Sequence, residues 1–204
     1  MDNKDAIFVL VNDNYPKDCY NFIEDDFKNS PLNVNIQRRE NGAMAGIEWA
    51  LPTAIVVYLL KPFFEAFLKE AGKDAYQKAK GAIKKLVSKN LPVKTNILYA
   101  GKTIDKQSKK YDQSLTISIK AALHSNLTLV VLFNNELVNE DCDLMTDGLL
   151  ESIENMYKYV QQEFPDKDDN DKLSQNQLYL IANMESGTWD ILTQQQMTEK
   201  YRNS

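Results

Sequence analysis

The chain has 204 residues, 43% of them apolar and 26% charged, with few glycines or prolines and a net charge of −5. This composition excludes a disordered or fibrous chain and fits a single domain over residues 1–204 with one substantial core. A small acidic balance argues against a dedicated nucleic-acid binder, so no nucleic acid is expected as a partner.

Two cysteines, Cys19 and Cys142, stand far apart, without the density of a disulfide framework or the spacing of a zinc site. The start of the chain, Met1 to Ala6, lacks the basic residues and apolar run of a secretion signal. Reduced thiols and a cytoplasmic address, with peripheral membrane association as the variant, are the expectation.

Ala6 to Val11 is a continuous apolar run closed by Asn12-Asp13-Asn14, which predicts a strand buried on both faces. Pro16 can open a short helix whose Cys19, Phe22, Ile23 and Phe27 share one side, ended by Asn29-Ser-Pro31. Leu32, Val34 and Ile36 then alternate with polar residues, as in a strand with one face in a core. The opening reads β-α-β.

Residues 42–90 read as a long helical insertion, kinked or divided at Pro52 and Pro62. Within it Trp49 to Leu60 is the most hydrophobic stretch, shorter than the about 20 apolar residues of an ordinary membrane span. Gly42, Gly46, Ala50 and Ala54 form a small-residue stripe at a spacing of four, suited to close packing on a sheet or in a bilayer. Leu68, Ala71, Ala75, Ala79, Ile83 and Leu86 continue an apolar helical face. Seven lysines over 69–89 give that segment a net charge of +5.

Beyond Asn90-Leu-Pro92, strand patterns recur at Val93 to Tyr99, Leu115 to Ile119 and Leu127 to Phe133. The loop 121–126 joins the last two as a hairpin, so the sheet is mixed. Leu149, Ile153, Met156, Val160 and Phe164 predict an amphipathic helix capped by Asp141 or Asp143 and ended by Pro165. It belongs to an acidic region, 135–171, with a net charge of −10. Leu178 to Ala182 supplies a further strand, and Gly187 permits a turn or bulge before Trp189 to Leu192. The expected fold is therefore α/β (or α+β), with a mixed sheet of five to six strands and a C-terminal acidic helix plus strand.

No familiar catalytic motif is complete. His124, the single histidine, falls in the expected hairpin loop and reads as exposed or locally bonded. Gly101-Lys-Thr103 resembles the end of a phosphate-binding loop, but position 96 is Asn where the first glycine is required. Asp166, Asp168 and Asn170 match the start of a calcium loop that fails at Asp171 and Gln177. Asp13 lies at the carboxyl end of the first strand, where ligands bind in open α/β sheets, and is the one carboxylate proposed for chemistry. No cofactor and no metal is called for.

Gly46-Ile-Glu-Trp-Ala-Leu-Pro-Thr-Ala54 and Lys69-Glu-Ala-Gly-Lys-Asp-Ala-Tyr76 together resemble a pattern in small bacterial proteins of uncharacterised activity. The resemblance covers about a fifth of the chain and implies a bacterial source and a related fold, without an activity. The first functional expectation is a non-enzymatic interaction or accessory subunit of an intracellular complex. It would act as a homo-oligomer or with a dedicated protein partner. A second is a conditionally membrane-associating effector acting on anionic lipid through 46–89, and a third is a carboxylate-dependent enzyme. Trp49, Leu59, Leu60, Phe63, Phe64, Lys69, Lys73, Lys80 and Lys84 are the candidate membrane- or partner-binding residues.

Overall fold

The computed structural model describes residues 5–40, 53–69, 72–93, 113–135, 137, 139–164, 176–183 and 185–202. Its strands are β1 (Asp5–Asn12), β2 (Asn33–Arg39), β3 (Ile55–Leu59), β4 (Gln113–His124), β5 (Leu127–Asn134), β6 (Asn176–Asn183) and β7 (Thr188–Thr193). The helices are α1 (Phe22–Phe27), α2 (Lys61–Leu68), α3 (Lys73–Asn90), α4 (Asn139–Glu163) and α5 (Gln194–Arg202).

The strands form one seven-stranded sheet in the order β2-β1-β3-β4-β5-β6-β7. The pairs β1/β2, β3/β4 and β5/β6 are parallel, while β1/β3, β4/β5 and β6/β7 are antiparallel. The fold is thus α/β with a mixed sheet, as expected, but with more strands than the five to six anticipated.

The added strand is β3, and it corrects the reading of 42–90 as a helical insertion. A short apolar run carries no period that separates a buried strand from a buried helix. Here the β-branched Ile55, Val56 and Val57, followed by Tyr58, favour the extended form. Insertion between β1 and β4 pairs this segment along both edges, and Ile55, Val57 and Leu59 are almost wholly buried. Pro62 lies in the first turn of α2, where its missing N–H breaks no helical bond, so it marks a helix start. Of the small-residue stripe, Gly42, Gly46 and Ala50 lie outside the described residues. Ala54 is buried, and its amide donates to the Leu115 carbonyl.

Alternation along the strands divides the core. Ile7, Val9, Val57, Ile117, Ile119, Leu129 and Val131 meet residues of α1, α2, α3 and α4 on one face. Val130, Leu132, Tyr179 and Ile181 meet Met197 of α5 on the other. Ala75, Ala79, Ile83 and Leu86 supply the buried side of α3, as their spacing predicts, whereas Leu68 is exposed and Ala71 lies outside the described residues. On α4, Leu149, Ile153 and Val160 are buried, but Phe164 is 63% exposed just beyond the last helical residue. Asp141 and Asp143 fall inside α4 and not before it.

Two glycines fix local geometry. A Cβ on Gly72 would collide with the Ala66 carbonyl oxygen, so the close approach between α2 and the start of α3 requires its absence. Gly187 adopts φ 66° in the turn into β7, where the sequence permitted a turn or bulge. The expected strand over 94–99 lies outside the described residues. The hairpin between β4 and β5 is tighter than expected: Ala121 to His124 remain in β4, and Ser125-Asn126 alone make the turn.

Leu59 tests the interior position of β3. Its replacement by Ala is expected to lower the unfolding free energy by about 2–5 kcal/mol, with an unchanged urea dependence. A loss below about 0.5 kcal/mol, the range of ordinary surface changes, would contradict the burial of β3.

Candidate functional site

Most apolar residues nominated for a membrane or partner face serve the core. Leu59 is fully buried in β3, Leu60 is half-buried before α2, and Phe63 and Phe64 are buried on α2. Phe63 packs edge-on against Phe64 and near Tyr76 of α3, each with ring centroids 5.1 Å apart. Phe64 stacks on Tyr157 of α4 at 4.2 Å and 11°. These aromatic contacts fasten α2 to both neighbouring helices. Trp49 lies outside the described residues. No helix among the described residues is long and apolar enough to cross a membrane.

The lysines divide by position. Lys69 is exposed and lies 3.5 Å from Glu65, one helical turn earlier, and Lys73 is exposed at the start of α3. Lys84 donates to Asp147 of α4 at 2.6 Å, and Lys80 stands 3.9 Å from Glu154 of α4. Lys85 reaches Asp26 of α1 at 3.4 Å. The basic and acidic segments therefore meet within one chain, where α3 lies beside α4. Glu154 is almost fully buried, its Oε1 has no hydrogen-bond partner, and burial holds its carboxyl above the ordinary glutamate range against the opposing effect of Lys158.

At the carboxyl ends of β1 and β2, the backbone ties the turn containing Asp13 in place. The Asp13 amide donates to the Arg39 carbonyl at 2.9 Å, and Arg38 Nη2 donates to the Asp13 carbonyl at 2.8 Å. Asp13 thus stands at the predicted strand end, and no group of three or more metal-ligating side chains occurs among the described residues. His124 Nδ1 lies 2.5 Å from Asn126 Oδ1 and 3.2 Å from Ser125 Oγ, a local turn network. Cys142 is buried and Cys19 half-buried. Burial, then Asp18, pushes the Cys19 thiol upward, opposite to an activated nucleophile. Gly101 to Thr103 and Asp166 to Asp171 lie outside the described residues.

The surface feature that sequence reasoning missed lies between α4 and the turn into β7. Leu144, Met145, Gly148 and Ser152 of α4, with Thr188 and Trp189 of β7, line a groove of about 760 Å³. Trp189 Nε1 donates to the Met145 carbonyl at 3.3 Å, and its ring meets Phe133 edge-on at 5.8 Å. This fixes one wall, while Gly148 keeps the helix side low. Leu144 is 77% exposed at the rim, and Ile191 is 51% exposed on β7, one of the two edge strands of the sheet among the described residues. The available signal was Leu144 standing apart from the buried stripe of α4, together with Trp189 in the last strand.

Comparison of the chain with protein-family models, curated proteins and solved structures finds no match.

Glu154 gives the α3–α4 seam a pH signature. Because its carboxyl is raised in the folded chain, folding is favoured more while it is protonated, and this contribution is full below the unfolded glutamate value and is lost as pH rises from there through the raised folded value. Glu154→Gln is therefore expected to unfold at a higher temperature than the parent near neutral pH, with the difference vanishing below about pH 4. Thermal unfolding across a pH series measures this; a lower midpoint at pH 7 would show that attraction to the neighbouring lysines outweighs burial.

Proposed function

We propose that this protein is a non-enzymatic interaction or accessory subunit whose partner is an extended segment of another protein laid along β7. The carrying observation is the groove beside Leu144 and Trp189, open next to an outermost strand. An outermost strand offers unpaired backbone groups, and an adjacent pocket gives side-chain specificity; together they suit strand addition. Glu151 on the helix side favours a basic residue flanking an apolar anchor in the bound segment.

The groove takes precedence over the lipid reading of 46–89 for an energetic reason. Insertion of that region would withdraw Leu59, Phe63 and Phe64 from the core, at about 1.5–3 kcal/mol for each large side chain. Leu144 is exposed already and needs no such release. The carboxylate reading rests on Asp13 alone, with no second acid joined to it by an ion pair or hydrogen bond among the described residues.

A photo-reactive amino acid at position 144, introduced in the native host, is expected to yield a discrete cross-linked protein. The same group at Lys78, on the exposed side of α3, is expected to yield none. Leu144→Asp should weaken the isolated complex at least tenfold while changing stability by less than about 0.5 kcal/mol, as befits a surface position. Cross-linking to a second copy of the chain would identify self-assembly through β7. Identical patterns from positions 144 and 78, or no product from either, would remove the proposal.

A further inference from the structure

The sheet face turned away from α1 to α4 carries a polar line along its central strand. Thr116, Ser118 and Lys120 alternate in β4 with Ile117, Ile119 and Ala121, which belong to the core on the other side, and Ser114 Oγ lies 2.7 Å from Thr116 Oγ1. Ser114, Thr116 and Ser118 are buried, and Lys120 is half-buried. A central strand with hydroxyls and a lysine on one face is unusual, because apolar residues there would add core.

Arg39 reaches this line from β2. Its Nε donates to Asn12 Oδ1 and its Nη2 to the Thr53 carbonyl, both at 2.6 Å. Thr53 Oγ1 and Ser118 Oγ share a hydrogen bond at 2.7 Å. Thr53 is thereby shared by the guanidinium, on its carbonyl, and by Ser118, on its hydroxyl, and Ser118 lies two residues from Lys120 on the same face. Lys120 pairs across the sheet with Tyr58, its Nζ 5.5 Å from the Tyr58 ring centre, and Tyr58 in turn pairs with Phe8 at 5.4 Å between centroids.

Neither cation forms an ion pair with a carboxylate among the described residues; their partners are an amide, a carbonyl and an aromatic ring. Two like charges in partly desolvated surroundings oppose one another. Burial, then Arg39, lowers the proton affinity of Lys120 accordingly. An oxyanion between them would oppose both effects: Arg39 keeps Nη1 donors for an anionic oxygen, and Lys120 adds a point charge. The flanking rings offer a flat surface to a planar substituent.

We propose that Arg39 and Lys120 form a binding site for a phosphate group, borne either by inorganic phosphate or by a mononucleotide whose base meets Tyr58 and Phe8. This site is independent of the β7 groove and needs no reaction step. Isothermal titration of the full chain at low salt with inorganic phosphate and, separately, adenosine monophosphate tests it. At least one ligand is expected to bind saturably at millimolar concentration or below. Tighter binding of the nucleotide assigns it as the source, and equal binding assigns the free anion.

Arg39→Gln and Lys120→Met should each weaken binding at least tenfold, whereas Lys78→Met on α3 should leave it unchanged. Lys120→Met also removes a charge that burial disfavours, so its thermal midpoint should match or exceed that of the parent. Weakened binding in a chain that is no less stable distinguishes a ligand contact from a structural one. Lys120→Arg, which keeps the charge, should retain binding. Absence of saturable binding by either ligand, or parental affinity in both Arg39→Gln and Lys120→Met, would overturn the assignment.

Discussion

The structure depends on β3 being held between β1 and β4. Val57 pairs with Val9 on one side and Ile119 on the other, and this double pairing joins the β-α-β opening to the rest of the sheet. Without β3, β1 and β2 would have no edge on which to meet β4. The same placement fixes the helical layer: α2 starts two residues after β3 and carries Phe63 and Phe64 directly between Tyr76 and Tyr157. A backbone buried on both faces and paired on both edges also leaves few unsatisfied polar groups, which is how such a short strand remains stable.

Charge segregation has a similar internal resolution. The lysine-rich and acidic segments are remote in sequence, yet α3 and α4 bring Lys84 to Asp147 and Lys80 to Glu154. The partly exposed Lys84–Asp147 pair contributes little stability by itself, but the two contacts mark which sides of the helices face one another. The two candidate surfaces lie away from this seam: the groove beside Trp189 on the helix side, and Arg39 with Lys120 on the opposite face. One is apolar with an open backbone edge, and the other is cationic with neutral polar neighbours. Their chemistry suits different ligands.

Periodicity made much of this fold legible. The apolar run of β1, the alternation of β2, the stripes of α3 and α4, and the glycine turn before β7 all carry local signals that the tertiary structure preserves. The segment 55–59 misled because five apolar residues between two prolines fit a buried helix or a buried strand, and only pairing partners distant in sequence decide between them. The candidate surfaces were hidden for the same reason. Leu144 and Trp189 are separated by much of α4 and β6, while Arg39 and Lys120 come from β2 and β4 and are linked through Thr53 and Ser118. Hydrophobicity identified Leu59, Phe63 and Phe64 as unusual, but that property marked the interior.

Hydrogen exchange read residue by residue tests the central claim most directly, because an interior strand and a releasable helix differ in how their amides open. With β3 paired to β1 and β4, the amides of Val57 and Leu59 should exchange as slowly as those of Val9 and Ile119, through global unfolding alone. Addition of anionic vesicles should not change this. Rapid exchange of residues 55–59 while β1 and β4 stay protected would contradict the account, since it would mean that the segment leaves the sheet without unfolding it.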